Sequence, residues 1–162
     1  MKTLIQLIFF QFVAVSVAMA AGSPKVTPDI AREIKDYNRG VELMMEKQFE
    51  KAEKWFRKSI ERRESFPEAH NNLAYTLRKQ GKSHFEEAMG HYNRAIELKP
   101  GLPEPHMYRG VLHVQMGSTD MALKDHETLV SMGSPLAKEL EYVIENGREK
   151  SPERFFGVSK KM

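Results

Sequence analysis

The chain has 162 residues, no cysteine and a formal net charge of +3 at pH 7. Because no disulfide is possible, a folded domain of this chain must be held together by core packing alone. A charge this close to neutral gives no support for a nucleic-acid partner or an anionic membrane surface, and we expect neither.

Residues 1–20 have the layout of a secretory signal peptide. Lys2 supplies an early positive charge, an apolar run covers residues 4–17, and the small-x-small pattern "AMA" ends the segment. The run is shorter than the roughly 20 residues of a membrane span. We therefore expect cleavage after Ala20, no stable membrane insertion, and a periplasmic or secreted mature protein, most simply in a Gram-negative bacterium. An uncleaved anchor or a membrane-bound amphipathic helix is the alternative.

Residues 21–28 are a short polar linker that leads into a helical region. Thr27-Pro28 is typical of a helix N-cap followed by proline at the first helical position. From there to Asn146, apolar residues recur at intervals of three and four, which is the helical period. Glycines follow the ends of these runs, where a helix C-terminus favours a residue that tolerates positive φ: Gly81, Gly117, Gly133 and Gly147. The pattern predicts an all-α domain.

The helical pattern itself repeats. A small residue recurs in the first helix of each predicted pair, at intervals of 34 and 36 residues: Gly40, Ala74 and Gly110. An alanine recurs in each second helix, at intervals of 36 and 34 residues: Ala52, Ala88 and Ala122. Both series indicate a 34-residue unit with one shared two-residue insertion, and the predicted turn "KSH" at residues 82–84 is the natural place for it.

The residues of the unit recur in phase as well. The second unit carries the most of them: Leu73, Ala74, Leu77, Gly81, Phe85, Ala88, Tyr92, Ala95 and Pro100. The first unit carries Gly40, Leu43, Phe49, Ala52, Phe56 and Ser59, and the third carries Gly110, Gly117, Ala122 and Leu129. In period and in residues, the chain resembles the tetratricopeptide-repeat family over about 29–132, with units at 29–66, 67–102 and 103–132. The resemblance implies a right-handed superhelical array of antiparallel helix pairs.

Residues 133–147 are predicted to form a helix that covers the end of this array. Ser134 is a suitable N-cap, and Pro135 suits the first helical position. One face of the helix is apolar, with Leu136, Leu140, Val143 and Ile144. The remaining residues, 148–162, form a basic tail, in which Phe155 and Phe156 either pack against this helix or form an exposed docking motif.

No pattern in the sequence indicates catalysis. There is no cysteine nucleophile, Gly-x-Ser-x-Gly elbow, phosphate-binding glycine loop or His-Glu-x-x-His motif, so we expect neither an enzyme nor a cofactor. His70 and His106, with Asp36, occupy the position at which the family has a tryptophan. We interpret the two histidines as packing residues and predict no metal site.

The resemblance implies that the first helix of each unit lines a concave groove that holds a peptide. The residues carried over to this groove are Tyr37, Asn38, Val41, Met44, Met45, Asn71, Asn72, Tyr75, Arg78, Lys79, Glu104, Met107, Tyr108, Val111, Val114 and Gln115. We expect Asn38, Tyr75, Arg78 and Lys79 to be exposed there, whereas the methionines either line the groove or pack against a neighbouring helix.

Two of these positions favour recognition of a peptide main chain. Asn38 and Asn72 are equivalent in consecutive units, and a side-chain amide has both a donor and an acceptor for a peptide backbone. The family's carboxylate-clamp members use asparagine at these sites with lysine or arginine nearby. Here Tyr37, Glu104 and Tyr108 stand where those cations are expected, which argues against an acidic C-terminal motif of that kind.

The sequence therefore predicts a non-catalytic, monomeric protein-interaction module that binds a peptide or partner protein. The resemblance implies an adaptor or assembly factor, here for an envelope complex. A self-associating scaffold and, as a weaker candidate, a histidine-dependent metal-binding protein are the alternatives.

Overall fold

The computed structural model describes residues 28–150 and residue 161 of the chain. The described residues form seven α-helices and no strand. The helices are α1 (Pro28–Met45), α2 (Phe49–Arg62), α3 (Pro67–Gln80), α4 (Phe85–Leu98), α5 (Pro103–Gln115), α6 (Thr119–Ser131) and α7 (Leu136–Asn146). None of these helices has the length and apolar character needed to cross a membrane. The predictions for the signal peptide, for the linker up to Thr27 and for Phe155 and Phe156 lie outside the described residues.

The helices form a superhelical array of antiparallel pairs, which confirms the predicted fold class. Helices α1, α3 and α5 each pack against the helix that follows, giving the pairs α1–α2, α3–α4 and α5–α6. Successive pairs touch through α2 with α3 and α4 with α5. As predicted, the insertion in the second unit falls in the connection between α3 and α4, where Lys82–His84 form a single 3₁₀ turn.

Close packing within a pair depends on the small residues that define the period. A Cβ atom added to Gly40 in α1 would lie 2.7 Å from Cε1 of the fully buried Phe56 in α2. Only a residue without a side chain allows the ring this close to the α1 backbone. The recurrent alanines of the second helices, Ala52, Ala88 and Ala122, are all fully buried.

Helix α7 covers the end of the array by packing on α5 and α6. Its apolar face is buried at Leu136, Ala137, Leu140 and Val143. The helix begins at Leu136, one residue later than predicted, and the Leu136 amide donates to Ser134 Oγ at 3.2 Å. It ends at Asn146, and Gly147, which caps it, adopts the left-handed conformation with φ of 67°.

The covering helix also changes the role predicted for Gly110. A small residue at this spacing predicts a close approach of α5 to its own partner helix, α6. The close neighbour is in α7 instead, because a Cβ atom on Gly110 would lie 2.5 Å from Leu140 Cδ2. At Gly110, α7 therefore approaches the α5 backbone as closely as α2 approaches the α1 backbone at Gly40.

Candidate peptide-binding groove

Most of the predicted groove residues are buried. These ten are Tyr37, Val41, Met44, Asn71, Asn72, Tyr75, Arg78, Met107, Tyr108 and Val111. Asn38, Lys79, Glu104 and Val114 are half-buried, whereas Met45 and Gln115 are exposed. The expectation that Tyr75 and Arg78 are exposed was therefore wrong, since they are 1% and 3% exposed. Among the methionines, Met44 and Met107 are buried by packing, whereas Met45 is exposed.

The burial of Asn72 follows from a side-chain network between α1 and α3. The Asn72 amide donates to the Tyr37 hydroxyl at 3.0 Å, and the Asn71 amide donates to Asn72 Oδ1 at 3.0 Å. Burial, with a smaller effect of the Glu68 carboxylate, raises the pKa of Tyr37, so its hydroxyl stays neutral at physiological pH. Within the part of the chain that the structure describes, Asn72 thus bonds to side chains rather than to a peptide.

Arg78 is buried on an aromatic surface shared by α3 and α5. The Tyr75 and Tyr108 rings meet edge to face with centroids 5.0 Å apart, and the guanidinium lies 5.1 Å and 5.8 Å from these two centroids. Its charge is balanced by Glu149, to which Nη1 and Nη2 donate at 2.9 and 3.0 Å. Burial opposes the charge, but Tyr92 and Glu149 outweigh it and raise the pKa of Arg78. The arginine is therefore a fixed cation that binds a carboxylate in bidentate geometry.

Asn38 forms the main-chain pairing that an asparagine at this position was predicted to form. Its Nδ2 donates to the Lys161 carbonyl oxygen at 2.6 Å, and the Lys161 amide donates back to Asn38 Oδ1 at 2.7 Å. One side-chain amide therefore satisfies both backbone groups of a single residue. Because Lys161 belongs to the C-terminal tail, the bound main chain is the protein's own.

Two acidic residues near these sites had no role in the sequence interpretation. Glu149, at the start of the tail, pairs with Arg78 and lies 3.9 Å from Lys79 Nζ. Glu68, in the first turn of α3, is 3.4 Å from Lys161 Nζ and 3.3 Å from Lys99 Nζ. Although burial opposes the charge, a backbone hydrogen bond and the Lys161 charge lower the pKa of Glu68. Neither residue belongs to the repeat pattern, so the spacing carried no signal for them.

An open cleft of about 480 Å³ adjoins Asn38. Among the described residues, its lining is Ile34, Lys35, Asn38, Arg39, Glu42 and Trp55. Trp55 comes from α2, and the prediction considered only first helices, so this residue was missed. The lone tryptophan of the chain, half-buried on a mainly polar helix, was the available signal.

The three residues at the tryptophan position are buried polar groups, each paired with the second helix of its own unit. Asp36 accepts from Arg62 at 2.8 Å. His70 Nδ1 lies 2.9 Å from His91 Nδ1, and His106 Nδ1 lies 3.2 Å from Asp125 Oδ1. The packing role predicted for His70 and His106 is confirmed. Across the described residues, no group of three or more histidine or acidic side chains is arranged to hold a metal.

Comparison with known protein families identifies the repeated unit. Residues 30–66 and residues 67–101 each match the family model described as tetratricopeptide repeat. Residues 30–101 are therefore similar to two consecutive tetratricopeptide repeats. The pairs α1–α2 and α3–α4 are the two repeats matched in this way, and α5–α6 follows them as a further helix pair.

Solved tetratricopeptide-repeat structures have the same fold. The Arabidopsis OM64 TPR domain is 16% identical with a TM-score of 0.66, over 74% of this chain and 99% of that chain. The second TPR domain of human RPAP3, in complex with the HSP70 peptide SGPTIEEVD, is 22% identical with a TM-score of 0.65, over 73% and 98%. The first TPR of Spaghetti (RPAP3), bound to the HSP90 peptide SRMEEVD, is 16% identical with a TM-score of 0.65, over 72% and 93%. Comparison with curated proteins gives no match. At these identities, the likeness to the solved structures concerns the fold alone.

Proposed function

We propose that this protein is a non-catalytic interaction module that binds an extended polypeptide segment across α1, α3 and α5. The observation that carries the proposal is the double hydrogen bond between the Asn38 amide and the main chain of Lys161. This contact uses no side chain of the bound residue, so it suits an extended segment of any sequence. Two of the similar structures hold a peptide, in keeping with this use of the fold.

The partner segment would also have to satisfy the buried charge of Arg78. Arg78 is a buried cation, and removal of its carboxylate partner would leave an uncompensated charge. A partner that replaces the tail must therefore bring its own carboxylate to Arg78 while its main chain pairs with Asn38. This differs from the carboxylate clamp, because the first-repeat tyrosine at the expected cation position, Tyr37, is buried and bonded to Asn72.

We further propose that the array contains a third repeat and that the protein is monomeric. The α5–α6 pair carries Gly110 and Ala122 at the repeat spacing, and His106 pairs with Asp125 as His70 pairs with His91. Helix α7 covers the last pair, which disfavours end-to-end stacking of chains. Gel filtration should give a single species of monomer size, whereas a concentration-dependent dimer would favour the self-associating scaffold.

The proposed site of action is the bacterial envelope, as an adaptor in the assembly of a complex. The support is the sequence of residues 1–20, with its basic start, apolar run and small-x-small end. N-terminal sequencing of the protein purified from a Gram-negative envelope should begin at Ala21. A mature chain that begins at Met1 in the cytoplasm would contradict this part of the proposal.

The binding site is tested by Asn38→Ala, with Asn93→Ala as a matched control. Asn93 is an exposed asparagine of α4, and its amide oxygen accepts from Arg109 at 2.8 Å. In crosslinking within the native envelope followed by mass spectrometry, we expect Asn38→Ala to reduce the recovery of the partner about fivefold or more, because two main-chain hydrogen bonds are lost. Asn93→Ala should retain the partner. Equal recovery with both variants would contradict binding at this site.

A further inference from the structure

We propose that the C-terminal tail occupies the groove of its own chain through Glu149 and Lys161, so that a partner must displace these two contacts. This inference rests on the proposed function of the same groove and names the segment that the groove holds before a partner arrives. Two described residues of the segment, Glu149 and Lys161, contact the helices that line the groove. They do so on two different repeats, which a tail held at a single point would not do.

The first anchor is the pair formed by Glu149 and Arg78. Both carboxylate oxygens accept from the guanidinium, whose side chain has 0% exposure, whereas that of Glu149 has 18%. A bidentate pair fixes the direction of the carboxylate as well as its position. It therefore places the start of the segment at the α3–α5 aromatic surface of Tyr75 and Tyr108.

The second anchor is the main chain of Lys161 on Asn38 in α1. The side chain of Lys161 adds a contact to Glu68 of α3, with Nζ 3.4 Å from Oε1. The second anchor therefore has a main-chain part and a charged part, on neighbouring repeats. It uses the asparagine that the sequence predicts as the peptide-binding residue of the first repeat.

The length of the segment permits both anchors at once. Lys161 follows Glu149 by 12 positions along the chain, and an extended chain covers roughly 3.3 Å per residue. Neighbouring packed helices are about 8–10 Å apart, so the reach from α3 to α1 is well within this span. A tethered segment also has an effective concentration in the millimolar range for its own groove, which a free partner must overcome.

Zero-length carbodiimide crosslinking of the full chain tests the arrangement without any substitution. The reagent joins a lysine amine to a carboxylate in contact with it, and the Lys161–Glu68 pair at 3.4 Å meets this condition. Lys99, at 3.3 Å from the same carboxylate, is the internal control for Glu68 reactivity. We expect mass spectrometry to find both links in dilute protein. Formation of the Lys99 link alone would overturn the inference.

Substitution of Asn38 tests whether the Lys161–Glu68 link depends on the main-chain pairing. Asn38→Ala should reduce the Lys161–Glu68 link about fivefold relative to the Lys99–Glu68 link, as expected for the loss of two hydrogen bonds. Asn93→Ala should leave the ratio unchanged, and an unchanged ratio in both variants would overturn the inference.

In a mixture of ¹⁵N-labelled and unlabelled chains, the Lys161–Glu68 link must join residues of one chain. Mixed-isotope links would assign the segment to the groove of a second copy and overturn occupation in cis.

Competition by a synthetic peptide of residues 148–162 distinguishes this inference from the proposed function. Lys161→Pro in the full chain removes the amide that donates to Asn38, whereas Lys161→Ala keeps it. We expect the Pro variant to bind the labelled peptide about fivefold more tightly than the Ala variant, because its own tail competes less. Equal affinities would overturn occupation by the tail. The proposed function would stand or fall separately, on partner capture by the groove.

Discussion

Gly40, which carries a hydrogen atom in place of a side chain, sets the distance between α1 and α2. At Gly40, a Cβ would lie 2.7 Å and 2.8 Å from two ring atoms of Phe56, and the ring is fully buried. An aromatic ring has no flexible end that can give way, so the helices themselves would have to separate. Gly90 offers the opposite case, because it is exposed in α4 and a Cβ there would meet nothing within 4 Å.

We therefore expect Gly40→Ala to lower the free energy of unfolding by about 1–3 kcal/mol, the usual cost of overpacking a core. Gly90→Ala should raise it by about 0.5–1 kcal/mol, because alanine is the better helix former. Urea denaturation followed by circular dichroism measures both. Equal effects of the two substitutions would show that the contact with Phe56 does not limit the packing of α1 on α2.

The His70–His91 pair in the second repeat makes stability depend on pH. Burial, reinforced by the neighbouring His70, lowers the pKa of His91 to about 4. The pKa of His70 is also lowered, mainly by burial, against the effect of its hydrogen bond to the Glu64 carbonyl oxygen. The two Nδ1 atoms lie 2.9 Å apart, so one of them must accept a hydrogen bond while the other donates it. If both Nδ1 atoms carried a proton, the pair would have no acceptor.

The sign of the effect follows from where protons bind. An unfolded histidine takes up its proton as the pH falls through about 6.5, whereas folded His91 does so only near 4. Between these values the unfolded chain binds more protons, so the free energy of unfolding should fall as the pH falls from about 6.5 towards 4. Urea denaturation at pH 7 and pH 5 should show a smaller loss for His91→Gln than for the native chain. A loss of the same size in both would exclude His91 as its source.

At the scale of the helix, the side chain of Leu140 in α7 interdigitates with α5 at Gly110. Leu140 is fully buried, and its Cδ2 fills the space that a Cβ on Gly110 would require. Leu140→Ala should lower the free energy of unfolding by about 2–5 kcal/mol, through lost transfer energy and the cavity that remains. Gly110→Ala alone should also destabilise, because it overfills the same space.

The double variant Gly110→Ala/Leu140→Ala should be more stable than the two single effects predict, because the added methyl enters the vacated space. A double-mutant cycle measured by urea denaturation gives the coupling, which should amount to about 1 kcal/mol or more in favour of the double variant. Additive effects would show that α7 moves away from α5 in the single variants rather than holding its position.

The elements that the sequence predicted well are those encoded by local spacing. The helix pairs, the turn at residues 82–84 and the inward polar residues His70 and His106 all follow from a period that repeats along the chain. The role of Gly110 was assigned to the wrong neighbour for a related reason. The period predicts a small residue at position 110, but it does not indicate which helix approaches that residue.

At the scale of the whole molecule, the groove could be predicted only in part. The repeat register placed Asn38 where a main chain is bound, yet it indicated exposure for Tyr75 and Arg78, which are buried. Arg78 is neutralised by Glu149, a residue 71 positions away and outside the repeats. No local pattern encodes such a contact, since a repeat describes only neighbours along the array. The Asn72 side chain, which bonds to Tyr37 and Asn71, belongs to the core rather than to the exposed groove.

The contacts of Glu149 and Lys161 also bear on the order in which the protein is made and folds. Helix pairs joined by short turns form from residues close in sequence and need little of the chain to be present. The Arg78–Glu149 and Asn38–Lys161 contacts join residues 71 and 123 positions apart. Synthesis from the N-terminus therefore completes every repeat before Lys161 exists. Each new molecule passes through a stage in which Asn38 has no main chain from its own tail to bind.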